Sequence, residues 1–139
     1  MSNLDRRSVL ALGAAAAAAP LALSTKAAAQ ERYPAGEGTE LMPGVRQVDL
    51  GEHESLIPGY ARVSMRDIVI APGAEVEPFA MENDMVCHML EGELELIQNG
   101  EPRSVSEGDV WTCAEGTTEG GRNARDRVAI MRITDLHKA

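Results

Sequence analysis

Beyond residue 44 the chain alternates short apolar runs with turn-forming residues, and the spacing is that of strands. Near the C-terminus, Val128, Ile130 and Arg132 alternate with Ala129, Met131 and Ile133, which predicts a closing strand over residues 127–134 with one wet face. The run Ile68-Val69-Ile70 ends a strand expected over residues 61–70 and suits burial on both faces. Further strands are expected over residues 45–50, 74–81, 110–113 and 119–123, with loops over 51–59 and 114–118. Pro72-Gly73, the polar run 82–84, Glu107-Gly108-Asp109 and Ala124-Arg125-Asp126 supply the turns. Residues 85–96 read as two strands folded back at Glu91-Gly92. Asn99-Gly100 follows, and both of its residues tolerate positive φ, so residues 85 to 106 are expected to form a three-stranded meander. No segment beyond the N-terminal region has a helical period, and the fold class expected is all-β. The sequence holds no internal repeat, no Gly-rich phosphate loop and no nucleophile elbow.

The N-terminal region breaks this pattern. Asp5-Arg6-Arg7-Ser8-Val9-Leu10 puts paired arginines before a mildly apolar stretch over residues 11–23, and Lys26 and Ala27-Ala28-Ala29 follow. That is the order of a twin-arginine export signal over residues 1–29 with a small-residue cleavage site. Pro20 interrupts the apolar stretch, which is also shorter than the ~20 residues a membrane span needs, so no stable membrane anchor is expected after cleavage. Cleavage after Ala29 leaves about 110 residues, one domain's worth. Residues 30–43 are rich in Gly, Glu and Pro and read as a flexible arm, and residues 44–139 as the domain.

Charge narrows the partners. Of 13 basic and 22 acidic residues, the signal removes Arg6, Arg7, Lys26 and Asp5. The formal charge moves from −9 to about −11. Such a surface repels nucleic acid and anionic lipid, and both are excluded as partners. Periplasmic export also places Cys87 and Cys113 in an oxidising compartment.

Two motifs then stand out. One runs from Pro72-Gly73 through Phe79, Met81 and Met85 to Gly92, and the other from Gly108-Asp109-Val110-Trp111-Thr112-Cys113 through Glu119 to Asn123. Their spacing resembles the two motifs of the cupin family, over residues 41–136. The resemblance implies a small double-sheet jelly-roll barrel, a double-stranded β-helix, and a homodimer. A metal-binding cupin carries two histidines and a glutamate in the first motif and a histidine in the second. Here those four positions are Phe79, Met81, Met85 and Glu119. Iron, manganese or zinc held in the family's manner is therefore not expected.

Alternation along the strands extends this reading. If Met85 points inward, as its family position implies, then Cys87 and Met89 do too, and His88 points away. Phe79, Met81, Met85, Cys87, Met89, Trp111, Glu119 and Asn123 are then the expected pocket residues, around an unidentified small molecule. The thioethers have two readings: packing of an irregular core, or a soft copper site built from Met81, Met85 and Cys87. Glu119 also has two. Buried, it suits an acid–base residue of a cofactor-independent isomerase or lyase; at the rim it is a solvated carboxylate. Asn123 closes a turn or binds a ligand, the turn being favoured, and Trp111 offers a flat wall whose N–H needs a partner. The cupin topology also makes the strands of Cys87 and Cys113 neighbours, so a disulfide competes with any metal role for Cys87.

Changing Arg6 and Arg7 together to Lys is expected to hold the precursor in the cytoplasm, as read by cell fractionation. Undiminished export of that variant would remove the twin-arginine assignment.

Overall fold

The computed structural model describes residues 31–139; the export signal read at residues 1–29 lies outside them. In chain order the strands are β1 (Thr39–Met42), β2 (Val45–Glu54), β3 (Tyr60–Ile70), β4 (Glu75–Ala80) and β5 (Asp84–Glu91). They continue as β6 (Glu93–Gln98), β7 (Glu101–Ser106), β8 (Val110–Cys113), β9 (Thr118–Arg122) and β10 (Ala129–Lys138). All pairings are antiparallel. A six-stranded sheet runs β1-β2-β3-β10-β5-β8, and a four-stranded sheet runs β4-β9-β6-β7. The described residues contain no helix that could cross a membrane. The main core joins the two sheets: Ile68, Met85, Cys87, Met89, Trp111 and Ile133 of the larger meet Leu94, Leu96 and Val105 of the smaller. The all-β jelly roll is therefore the fold.

The expected meander does not form at its first turn. β5 pairs with β10 and β8, whereas β6 pairs with β7 and β9 in the other sheet. Glu91-Gly92 is a corner between sheets rather than a hairpin. Gly92 has a φ of 75°, and a Cβ there would sit 2.9 Å from the Val128 carbonyl oxygen and 3.1 Å from Ala129 Cα. Only glycine lets the chain turn this tightly against the start of β10. Crossing to the other sheet lets the apolar positions of β5 and β6 meet in one core, which a flat hairpin with a single covered face would not achieve. The second turn is a hairpin: Asn99 and Gly100 have φ of 50° and 82° between the paired Gln98 and Glu101.

Two further differences concern the edges of the larger sheet. β2 runs on to Glu54 with a register shift between Asp49 and Gly51, into residues expected to be a loop. Thr39–Met42, within the segment read as an arm, pairs with β2 as the edge strand. The closing strand is also drier than expected. On its outer side Ile130 packs with Val48 and Val69, and Tyr33, Leu90 and Val128 lie against them.

The same outer face carries a buried ion pair. Asp67 is fully buried, opposite Arg132 in the β3–β10 register. Arg132 Nε and Nη2 donate to its two oxygens at 2.8 and 3.0 Å, and the Tyr33 hydroxyl also donates to it. The carboxylate, the burial and the arginine act together. The hydrogen bond and charge of Asp67 hold the Arg132 guanidinium above its ordinary pKa, although burial opposes this. Arg132→Leu is expected to cost about 3 kcal/mol in urea denaturation, because it strands a buried carboxylate. Adding Asp67→Leu should recover part of that loss. A single variant as stable as the parent would show that the pair contributes little.

Candidate functional site

β5 sits in the larger sheet between β10 and β8, and its buried residues are Met85, Cys87 and Met89, while His88 on the other parity is half-buried. The alternation read from sequence therefore holds. These inward side chains do not all reach one space, however. A cavity of about 90 Å³ lies between the sheets, lined by Met81, Met85, Ile68, Leu94, Leu96 and Glu119 among others. Cys87 and Met89 are wholly buried and do not line it, and neither do Trp111 and Asn123. Phe79 lines the cavity only from its mouth and is 53 % exposed. Its displacement has a local cause. β4 is an edge strand with a register shift between Val76 and Phe79, and a Cβ on the facing Gly120 would lie 2.6 Å from Val76 O and Pro78 N. Glycine allows that close approach, and the bulge turns Phe79 toward the rim.

Asn123 and Trp111 lie outside the cavity lining. The Asn123 carboxamide donates to the carbonyls of Ile70 at 3.0 Å and Arg127 at 2.7 Å, and its oxygen accepts from the Arg125 amide at 3.0 Å. This closes the turn between β9 and β10. Trp111 packs opposite Cys87 with Arg103 over its ring at 5.9 Å, and its Nε1 makes no hydrogen bond among the described residues.

The polar side of the cavity is built around Glu119, which is 6 % exposed. Two donors converge on its Oε2: the Cys113 thiol at 2.9 Å and Gln98 Nε2 at 3.2 Å. Gln98 lies opposite Glu119 in the β6–β9 pairing, and its amide also reaches the Thr112 carbonyl at 3.1 Å. Cys113 comes from β8, where it faces Met85. Cys87 completes the group. The Cys87 and Cys113 sulfurs and a Glu119 oxygen all lie within 4.8 Å of one another. Both cysteines are buried free thiols. Cys87 pairs with Trp111 and Cys113 with Met85, so the cysteines are diagonal neighbours. That spacing, ~7–8 Å between Cα atoms, exceeds the usual disulfide span. Hydrogen bonding to Cys113 and then burial push the Cys87 thiol far above its ordinary pKa, and the nearby Glu119 and Asp135 charges add to this. Alternation could suggest the inward Cys87, but neither the placing of Cys113 beside Glu119 nor the arrival of Gln98 was legible. Both depend on pairing between distant strands.

The fold is similar to that of known structures. KdgF from Halomonas sp. is 17 % identical with a TM-score of 0.58, the alignment covering 72 % of this chain and 86 % of that one. An RmlC-like cupin from Shewanella frigidimarina is 21 % identical with a TM-score of 0.56, covering 76 % of this chain and 90 % of that one. A cupin domain from Schizosaccharomyces pombe is 17 % identical with a TM-score of 0.59, covering 72 % of this chain and 69 % of that one. The fold is a cupin barrel. The family model of the EutQ-like cupin domain matches residues 69–129. Comparison with curated proteins gives no match.

Against that barrel the donor set can be tested for the metal that cupins often hold. The four positions that the motif resemblance assigns to ligands offer an aromatic ring from Phe79, two thioethers from Met81 and Met85, and one carboxylate from Glu119. They include no imidazole. This set does not fit an iron or manganese ion, which favours oxygen and imidazole donors. The carboxylate instead accepts from a thiol and an amide.

Gln98 is the donor most open to test. Gln98→Leu is expected to cost about 1–2 kcal/mol in urea denaturation, since the buried Glu119 loses an N–H donor. An unchanged midpoint would show that Glu119 draws little from it.

Proposed function

We propose that this chain is an exported, periplasmic cupin barrel that binds a small molecule in its apolar interior and lacks the His/Glu metal centre usual in the fold. The observation that carries this reading is the cavity: about 90 Å³, walled by aliphatic and thioether side chains, with Glu119 as the one carboxylate on its lining. At ~30 Å³ per water, that volume takes about three waters or a ligand group of a few heavy atoms. The mouth is flanked by Phe79 and Leu41, 53 % and 47 % exposed, so a longer ligand would extend outward between them. Arg66 also lines the cavity, but its guanidinium is engaged by Asp135 at 2.9 Å and Gln47 at 3.0 Å. The matching ligand is a small apolar molecule with one hydroxyl or ammonium group directed at Glu119. The acidic surface agrees with a partner that is neither nucleic acid nor anionic lipid. Homodimerisation belongs to the same proposal, since both sheets end in edge strands.

The second reading keeps Glu119 and adds chemistry: a cofactor-independent isomerase or lyase in which this carboxylate moves a proton. It rests on the same placement, a buried carboxylate on an apolar cavity, which is where acid–base residues are found.

The binding proposal is tested with xenon and with short-chain alcohols and amines, read by ligand-observed NMR and thermal shift. Saturable binding is expected. It should be abolished by Met81→Trp, which fills the cavity, and the amines alone should weaken about tenfold in Glu119→Gln, the loss of one charge-assisted hydrogen bond. No saturable binding by any of these probes would overturn the cavity as a ligand site.

A further inference from the structure

We infer that Cys87, Cys113 and Glu119 form a buried site for one thiophilic d10 metal ion, Zn(II) or Cu(I). The site differs from the positions that cupins use. Of Phe79, Met81, Met85 and Glu119, only Glu119 takes part, and the two new ligands are cysteines that the family motifs do not name. It also differs from a thioether site at Met81, Met85 and Cys87, because Met81 and Met85 line the cavity while neither cysteine does.

Three observations converge. The ligand atoms come from β5, β8 and β9, hence from both sheets, yet all lie within 4.8 Å of one another. Around a zinc ion with bonds of 2.0–2.3 Å, such atoms stand about 3.5–4 Å apart, so separations change by about an ångström, and the Cys113 sulfur and Glu119 Oε2, now 2.9 Å apart, open slightly. All three are buried, Cys87 at 0 %, Cys113 at 2 % and Glu119 at 6 % exposure. Glu119 forms no ion pair among the described residues; a thiol and an amide are its donors. A buried carboxylate without a cation is costly, and a Zn(II) ion bonded to it would set a positive charge directly against it, with the two thiolate charges held on the same ion. The donors are also selective. Two thiolates favour thiophilic ions over calcium, magnesium or manganese.

Binding changes no oxidation state. The ion displaces the two thiol protons, which leave to solvent, and bonds form to both sulfurs. Zn(II) also takes a Glu119 oxygen. With three deprotonated ligands it leaves a local charge of about −1. Cu(I) is satisfied by the two sulfurs, leaves Glu119 to Gln98 and sets a charge of about −1 beside that carboxylate, so the charge balance favours Zn(II). Glu119 is thus the residue whose role separates the two ions. It also lines the cavity, but the metal inference does not depend on what the cavity binds.

The test uses the full chain, reduced and freed of metal, titrated with Zn(II), Co(II) as its spectroscopic stand-in, and Cu(I), each against a competing chelator. The expected result is one ion per chain, release of two protons per ion, and a near-ultraviolet thiolate-to-Co(II) charge-transfer band from the unmodified protein. Changes to outer-shell partners alone cost 10–100-fold in affinity, so Cys87→Ser and Cys113→Ser should each lose at least about a hundredfold. Glu119→Gln should weaken Zn(II) and Co(II) comparably if zinc is the resident ion, and should leave Cu(I) unchanged if copper is. The proton count and the cobalt band are read on the parent chain, so they hold even where a variant fails to fold. No cobalt band and no stoichiometric uptake in the parent would overturn the site. So would a band that survives Cys87→Ser, or a native Cys87–Cys113 disulfide whose reduced form takes up no metal.

Discussion

The corner at Gly92 is the constraint on which the rest depends. β5 ends there in the six-stranded sheet and β6 begins in the four-stranded one. With a φ of 75° and Val128 and Ala129 within about 3 Å of where a Cβ would be, the chain turns tightly against β10. Because the two strands part, Met85, Cys87 and Met89 of β5 face Leu94 and Leu96 of β6 across a shared core. Had they paired as a hairpin, both sets would have shared one face of one sheet. The barrel interior exists because they do not.

Two consequences follow for the site. β5 gains β8 as an edge partner, which sets Cys113 opposite Met85 and Cys87 opposite Trp111. β6 gains β9, which sets Gln98 opposite Glu119. The Cys113 thiol of one sheet and the Gln98 amide of the other then meet on a single carboxylate oxygen. The arrangement binds the sheets together through polar contacts inside a mostly apolar core. Such a buried network rewards full satisfaction and penalises any gap. Glu119 belongs both to the lining of the apolar cavity and to the group it forms with Cys87 and Cys113.

The outer face has its own anchor. Tyr33 precedes the first strand yet donates to Asp67 on β3, and it lies against the small apolar cluster of Val48, Val69 and Ile130. The start of the described chain therefore contributes to covering the larger sheet. Ile130 is dry for this reason, although alternation alone assigns it to a solvated face.

Alternation and turn chemistry by themselves determined the fold class, the Asn99-Gly100 hairpin and the inward parity of Met85, Cys87 and Met89. These properties are local: side-chain direction has a period of two, and positive φ belongs to particular residues. The motif spacing also marks Glu119. Tertiary structure alone decided which strands pair. A glycine that turns a hairpin and one that turns a corner look alike in sequence, so Glu91-Gly92 was open to either reading. The β4 bulge that sends Phe79 to the rim depends on the close approach of Gly120, and the meeting of Cys87, Cys113 and Glu119 depends on two sheets closing over one core. Contacts between residues far apart in the chain come from packing, and periodicity carries no record of them.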